Sequence, residues 1–260
     1  MSSREIAGRR AIVTGASSGI GRALALELAR QGAKLVLVAR RRDRLEQAVA
    51  EITTRGGEAT CVAGDITDTA TRRAVLDKAA AVYGGLDMLV NNAGIGASGP
   101  FADSDGSRVR KLMEVNFFAA AELIHAALPL LKQGTEPIIV NVGSILGHRG
   151  VPRRSEYCAS KFALQGFSEA LRAELAAERI DLLIVSPGPT DTEFFENLPD
   201  ASRDPWGDPA RMPPSRVAAL TVRAIRRGQH EIIPTTRGRL LCWLNRLSPR
   251  LADWVLARYA

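Results

Sequence analysis

The chain has 260 residues, of which 46% are hydrophobic, 24% charged and only 5% aromatic, too apolar for a solvated coil and long enough for one α/β domain with a sizeable core. Cys61, Cys158 and Cys242 are too few and too scattered for a disulfide framework, and no window holds the ~20 uninterrupted apolar residues of a spanning helix. The formal charge of +7 is uneven: residues 211–260 carry ten arginines against Glu231 and Asp253, a net of +8, while residues 1–210 carry 25 Lys and Arg against 26 Asp and Glu, so the body lacks the basic face that a nucleic-acid reader needs.

Along the chain, short apolar runs alternate with segments of helical period. Strands are expected at Ala11–Thr14, Lys34–Ala39, Ala59–Ala63, Asp87–Val90, Pro137–Val142, Ile180–Val185 and Glu231–Ile233. Helices are expected at Ile20–Gln31, Asp43–Arg55, Asp68–Tyr83, most of Ser104–Leu131, Glu156–Glu178 and Ser215–Arg227, with Pro187–Pro214 reading as loop. Strands without polar alternation, separated by helices, imply a parallel sheet covered on both faces. The fold class is therefore α/β, a doubly wound Rossmann-type sheet in three α/β/α layers. Residues 1–234 form its single domain, and a basic, amphipathic helical extension occupies 235–260. Met1–Arg10 is charged and has no apolar h-region, so no secretory signal is expected, and the cysteine usage suits a reducing, cytoplasmic setting.

Thr14-Gly15-Ala16-Ser17-Ser18-Gly19-Ile20-Gly21 follows the first strand and opens a helix. Glycines there permit a tight turn and close backbone approach to a pyrophosphate, and the helix N-terminus offers free N–H groups to the anion. The tip of the second strand discriminates between cofactors: an acid would bind the ribose 2′-hydroxyl of NAD, whereas arginine accommodates a 2′-phosphate. Arg40-Arg41-Arg42 stands there with no acid, which favours NADP(H) over NAD(H). The competing reading makes these arginines a solvated helix start.

Tyr157 and Lys161, four residues apart at the start of a helix, share one face. An ammonium beside a phenol lowers its pKa, so the pair suits acid/base work between a carbonyl and an alcohol, although such a pair alone is also ordinary surface packing. Ser144 and Asn91-Asn92-Ala93-Gly94 follow strands, at the carboxyl ends where ligands bind in open parallel sheets. Asn116 interrupts an apolar helical stretch and must be hydrogen-bonded, as a core group or as part of a relay.

With these elements in order, joined by Pro187-Gly188-Pro189-Thr190-Asp191-Thr192, the chain resembles the short-chain dehydrogenase/reductase family from about Ala7 to Pro234. The resemblance implies an NADP(H)-dependent oxidoreductase that interconverts a ketone or aldehyde with an alcohol by hydride transfer. Tyr157 would be the general acid/base, Ser144 would orient the substrate oxygen, and Lys161 would lower the tyrosine pKa and hold the nicotinamide ribose. Asn116 would fix a water linking Lys161 to solvent. By the same resemblance Asp65 would meet the adenine beside Ile66, Asn92 to Gly94 would line the cofactor, and Pro187, Gly188, Thr190 and Thr192 would contact the nicotinamide amide. No metal is implied. The helices Ser104–Leu131 and Glu156–Glu178 would form a homodimer or homotetramer interface.

Residues 190–214 are expected to form a substrate lid with Phe194, Phe195 and Trp206 on its apolar face. Arg149, Arg153 and Arg154 sit between Ser144 and Tyr157, either solvated or greeting an anionic substrate. In the extension, Leu240, Leu241, Trp243, Leu244 and Leu247 form one apolar stripe and Leu251, Trp254 and Val255 another, flanked by Arg239, Arg246, Arg250 and Arg258. Such a pair of helices either packs on the protein or lies in a membrane interface, and lipid contact would favour a lipid ketone or fatty alcohol as substrate. The alternatives to a soluble enzyme are a non-catalytic NADP(H)-sensing regulator and a membrane-peripheral lipid-carbonyl reductase.

Overall fold

The structure is a computed structural model that describes residues 4–193 and 211–257. Its seven strands form one parallel sheet in the order β3-β2-β1-β4-β5-β6-β7: β1 Arg10–Thr14, β2 Lys34–Ala39, β3 Glu58–Ala63, β4 Met88–Asn91, β5 Ile138–Val142, β6 Asp181–Val185 and β7 Glu231–Ile232. The order reverses between β1 and β4, and at such a switch point the carboxyl ends of neighbouring strands open a crevice.

Helices cover both faces. Alternate residues of each strand point to opposite layers: Val13, Leu35 and Leu37 pack with α1 (Gly19–Arg30), α2 (Arg42–Thr54) and Pro214–Arg226, while Ile12, Val36 and Val38 pack with α3 (Thr69–Tyr83), α5 (Ala119–Leu131) and α6 (Ser155–Leu175). Pro214–Arg226 is α7 of the described residues, and α8 (Thr236–Leu247) and α9 (Pro249–Leu256) make up the extension.

The expected long helix is more broken than its periodicity suggests. A 3₁₀ turn covers Phe101–Asp103, and α4 (Ser107–Met113) starts only after Asp105 caps the Ser107 N–H and hydroxyl. A π-helical turn at Glu114–Phe118 then joins α4 to α5. The whole run Ser107–Leu131 is long and apolar enough to cross a membrane by length and composition; here Leu123, Ile124, Ala127 and Leu131 bury one face of it in the sheet layer. Of the Pro187–Pro214 loop, both described ends are clipped together: Thr190 bridges to Met212, and Asp191 N–H donates to the Met212 carbonyl at 3.0 Å. Most of the expected lid, with Phe194, Phe195 and Trp206, lies outside the described residues.

Candidate active site

The turn between β1 and α1 is shaped for an anion. Gly15 adopts φ +66° and Gly19 φ +54°, and a Cβ at Gly21 would collide with Asn92 and the Gly15 carbonyl, so the sequence needs glycine there. Ser18 is the N-cap of α1 but makes no side-chain capping bond, which leaves the first N–H groups of the helix available to a ligand. Thr14 Oγ1 accepts from the N–H groups of Asn92 and Ala93, each at 2.9 Å, and Asn92 Nδ2 donates to the Thr14 carbonyl at 2.9 Å. Thr14, Asn92 and Ala93 thus lock the ends of β1 and β4 together across the switch point. Ile20 packs on the adjacent core, and Thr192 leans over Gly19.

At the tip of β2, Arg40 is exposed. Arg41 donates to Ser18 Oγ at 2.7 Å and to Ser17 Oγ at 3.3 Å, and pairs with Glu193 at 2.7 Å. After β3, Asp65 accepts from the Thr67 N–H and hydroxyl at 3.0 and 2.9 Å. Burial raises its pKa, but these bonds and the field of Arg40 outweigh it and hold the carboxyl below its ordinary value. The next residue, Ile66, is buried, and Arg72 donates to its carbonyl at 2.8 Å, which fixes the loop. The glycine turn and the uncapped helix together fit the pyrophosphate of a nicotinamide dinucleotide.

Ser144, Tyr157 and Lys161 converge near Gly94, in the segment after β4. Ser144 ends the segment after β5, where its hydroxyl accepts from Leu146 N–H at 3.1 Å and is hydrogen-bonded to the Tyr157 phenol. Lys161 Nζ lies 5.8 Å from the centre of the Tyr157 ring and donates to the Val142 carbonyl at 3.1 Å. Burial pushes the Tyr157 phenol up to about 12 despite the Ser144 bond, and pushes Lys161 down to about 8. The sequence reading expected the lysine to lower the tyrosine pKa. Desolvation by burial is the largest cause for both groups, and the lysine is not among the causes acting on the tyrosine.

Asn116 sits in the π turn. Its amide clasps Ile95, accepting from the N–H at 2.8 Å and donating to the carbonyl at 3.0 Å, and it donates to Ser160 Oγ at 2.9 Å. Ser160 in turn donates to the Tyr157 carbonyl at 2.8 Å. Asn116 is therefore a satisfied group that ties the segment after β4 to the helix of Tyr157 and Lys161, with Gly94 beside its Oδ1. A single π turn inside a helix commonly marks a functional position. On the opposite wall, the Pro187 carbonyl accepts from Ile145 N–H at 3.1 Å, and Thr190 Oγ1 donates to the Gly188 carbonyl at 3.0 Å. Phe194 lies outside the described residues.

Glu156, Arg108 and Asn141 help to build the site without standing out in the sequence, and Asn91, which does stand out, supports the sheet. Glu156, next to Tyr157, is buried and pairs with Arg108 at 2.5 Å, and it accepts from Ser104 Oγ at 2.6 Å. Asn91 Nδ2 donates to Asn141 Oδ1 at 2.9 Å, and Asn141 donates to Ser168 Oγ at 2.8 Å, all inside the core. A polar residue inside an apolar strand is the signal that Asn91 and Asn141 give. Of the two readings for the arginines between Ser144 and Tyr157, full solvation does not hold: Arg154 is buried, Arg153 is half-buried, and Arg149 is bound to Asn245 at 2.9 Å and to Asp253. Arg149 is thereby tied to the extension.

The comparisons agree with this geometry. A family model described as short chain dehydrogenase matches residues 9–203. An 11-beta-hydroxysteroid dehydrogenase-like 4A from Arabidopsis thaliana is 38% identical over 96% of this chain and 84% of its own length. A dehydrogenase/reductase SDR family protein 7-like from Anopheles gambiae is 31% identical over 99% of this chain and 84% of its own. Among solved structures, a short-chain dehydrogenase/reductase from Burkholderia phymatum in complex with NAD superposes with TM-score 0.86 at 27% identity, over 95% of this chain and 96% of that one. A short chain dehydrogenase from Burkholderia cenocepacia J2315 in complex with NADP gives 0.78 at 34%, over 89% and 96%. Strand order, glycine turn and the Ser144–Tyr157–Lys161 cluster all lie within the stretch these proteins share, and the chain belongs to the short-chain dehydrogenase/reductase family.

Proposed function

We propose that this oxidoreductase uses NADP(H) and reduces a ketone or aldehyde to an alcohol, with Tyr157 as the proton donor. The observation that carries the proposal is the convergence of Ser144, Tyr157 and Lys161 near Gly94, at the carboxyl end of a sheet whose first turn is rich in glycine. The bound nicotinamide supplies the hydride. Ser144 and Tyr157 hold the carbonyl oxygen by their hydroxyls and polarise it, and Tyr157 Oη passes its proton to that oxygen as negative charge develops there. With a pKa of about 12 the phenol stays protonated at neutral pH, ready for reduction. Lys161, still largely an ammonium at pH 7, stabilises the phenolate left behind and binds the nicotinamide ribose.

Arg40 and Arg41 would hold a 2′-phosphate. Thr14 to Gly21 would hold the pyrophosphate, with Asp65 and Ile66 on the adenine side and Asn92 to Gly94 with Pro187 to Thr192 around the nicotinamide. The exposed Phe118 and Phe162 on the outer faces of the α4–α5 and α6 layer suit a subunit contact in a homodimer or homotetramer.

Titration of NADPH and NADH against wild type and Arg40→Ala tests the cofactor. We expect wild type to prefer NADPH and the variant to lose about 10- to 100-fold in NADPH affinity with NADH unchanged, the size of one charge-assisted contact. Equal binding of both cofactors by wild type would overturn the NADP(H) assignment. Tyr157→Phe is expected to bind cofactor normally and to reduce none of a panel of carbonyls; turnover by that variant would remove Tyr157 from its role.

A further inference from the structure

We infer that the α8–α9 hairpin docks the protein on an anionic lipid bilayer. The described residues expose nine large hydrophobic side chains, and five of them, Leu240, Trp243, Leu247, Leu251 and Trp254, fall within this one hairpin. Leu240, Trp243 and Leu247 follow the spacing i, i+3, i+7, which puts them on one stripe of α8, and they are 69%, 61% and 78% exposed. On α9, Leu251 and Trp254 are 46% and 57% exposed. A one-sided stripe of large exposed apolar side chains marks an interaction site.

The hairpin is attached to the protein by its other face. Gly238, Cys242, Ala252 and Leu256 are buried, and Leu256 packs against Leu146, Val151 and Cys158. Asn245 Nδ2 donates to the His148 carbonyl at 3.1 Å, and Arg149 reaches both Asn245 and Asp253. The exposed stripe is therefore surplus to holding the extension in place. Helices of 12 and 8 residues are too short to cross a bilayer, which takes ~20 residues, so they lie along its surface.

Charge decides the occupant. On the wheel of α8, Arg237 flanks one side of the stripe and Arg239 and Arg246 the other, with Arg250 at the start of α9. Between 236 and 257 the one acid is Asp253, which is bound to Arg149. Arginine stems beside an apolar stripe snorkel to phosphate headgroups, and tryptophan prefers the interfacial zone. A second copy meeting this face across a two-fold axis would set arginines against arginines. Because the inner face of the hairpin rests on the Leu146–Val151 loop that follows Ser144, docking brings the site to the lipid surface and suits an apolar carbonyl drawn from the bilayer.

Flotation of the full-length protein with vesicles of phosphatidylcholine, with and without about 30% phosphatidylserine, tests the inference. We expect binding to the anionic vesicles, weakened by salt and weaker still on neutral ones. Trp243→Ser with Leu247→Ser should lower the bound fraction about tenfold or more while leaving cofactor affinity unchanged, because the lost contact is apolar area. Arg237→Gln with Arg250→Gln should reduce binding to anionic vesicles alone. Wild type that stays unbound with anionic vesicles overturns the inference, as does a Trp243→Ser, Leu247→Ser variant that floats as well as wild type. A variant that instead turns a dimer into a monomer in sedimentation velocity, with no flotation of either form, assigns the face to a second copy and also overturns it.

Discussion

Lys161 and Tyr157 lie one helical turn apart, both almost fully buried, and burial moves them in opposite directions. For Lys161 the folded pKa is about 8 against an ordinary 10.5. Below about 8 the ammonium is charged in both states and the fold bears the desolvation cost in full; between 8 and 10.5 the unfolded chain holds more protons than the folded one, so stability rises with pH. Lys161→Met should therefore stabilise the cofactor-free protein by about 1–3 kcal/mol at pH 7, even after losing the bond to the Val142 carbonyl, while activity disappears. Urea denaturation reads the first effect and carbonyl turnover the second; a destabilised variant would mean that partners already compensate the buried charge. The same shift predicts that kcat/KM for reduction, which reports the free enzyme, declines above about pH 8 as Lys161 loses its proton. A profile flat from about pH 6 to 10 would take Lys161 out of the electrostatics of the reaction.

The start of α6 carries Tyr157, Ser160 and Lys161, and its orientation rests on Glu156. That carboxylate pairs with Arg108 of α4 and accepts from Ser104, and its place in the first turn also suits the helix dipole. Burial alone would raise its pKa, yet the bonds from Arg108 and Ser104 hold it below the ordinary value. Glu156→Gln is expected to lower kcat several-fold with little change in cofactor affinity, because the clamp touches the tyrosine end of the helix and not the glycine turn. It should cost about 1–3 kcal/mol of stability. Arg108→Met should do the same, and the double variant should be no worse than either single one, as expected for a shared pair. Full additivity would show that each residue acts alone. Neither residue stood out in the sequence. The strands, the turn from Thr14 to Gly21 and the Tyr157–Lys161 spacing are local patterns, legible because period and glycine placement are written in consecutive residues. Arg108 and Glu156 meet 48 residues apart, Asn91 and Asn141 50 apart, and Arg149 and Asp253 104 apart; only the folded sheet brings them together. The π turn that presents Asn116 was hidden as well, since one extra residue in a helix leaves the apolar period nearly intact.

The parallel sheet divides the protein into an end that does chemistry and an end that holds the fold. The carboxyl ends of β1, β4 and β5 carry Thr14, Asn92 and Ser144, while the opposite end of the same strands is closed by Asp87. That carboxylate, 3% exposed, accepts from Arg10 Nε at 2.8 Å, Arg10 Nη2 at 2.7 Å and the N–H groups of Arg10 and Thr135 at 2.9 and 2.6 Å. Burial opposes its ionisation, but the bonds from Arg10 and Thr135 more than offset it and depress its pKa. A depressed carboxylate contributes stability that is complete above its unfolded value, about 4, and is lost as the pH falls through its folded value. Asp87→Asn should therefore cost about 3 kcal/mol at neutral pH, the penalty of leaving Arg10 half-buried without its anion. The gap to wild type should begin to narrow below about 4, as the unfolded carboxyl takes up its proton, and close as the pH falls through the lower folded value. Urea titrations at pH 7 and pH 3 measure the gap at each end, and one that stays constant would mean that packing, not charge, is what Asp87 supplies. Because the pair lies a full strand length from the glycine turn, the variant's affinity for NADPH, measured where it is still folded, should match wild type. A weakened affinity would show that the two ends of β1 and β4 are mechanically coupled through the Thr14–Asn92 lock.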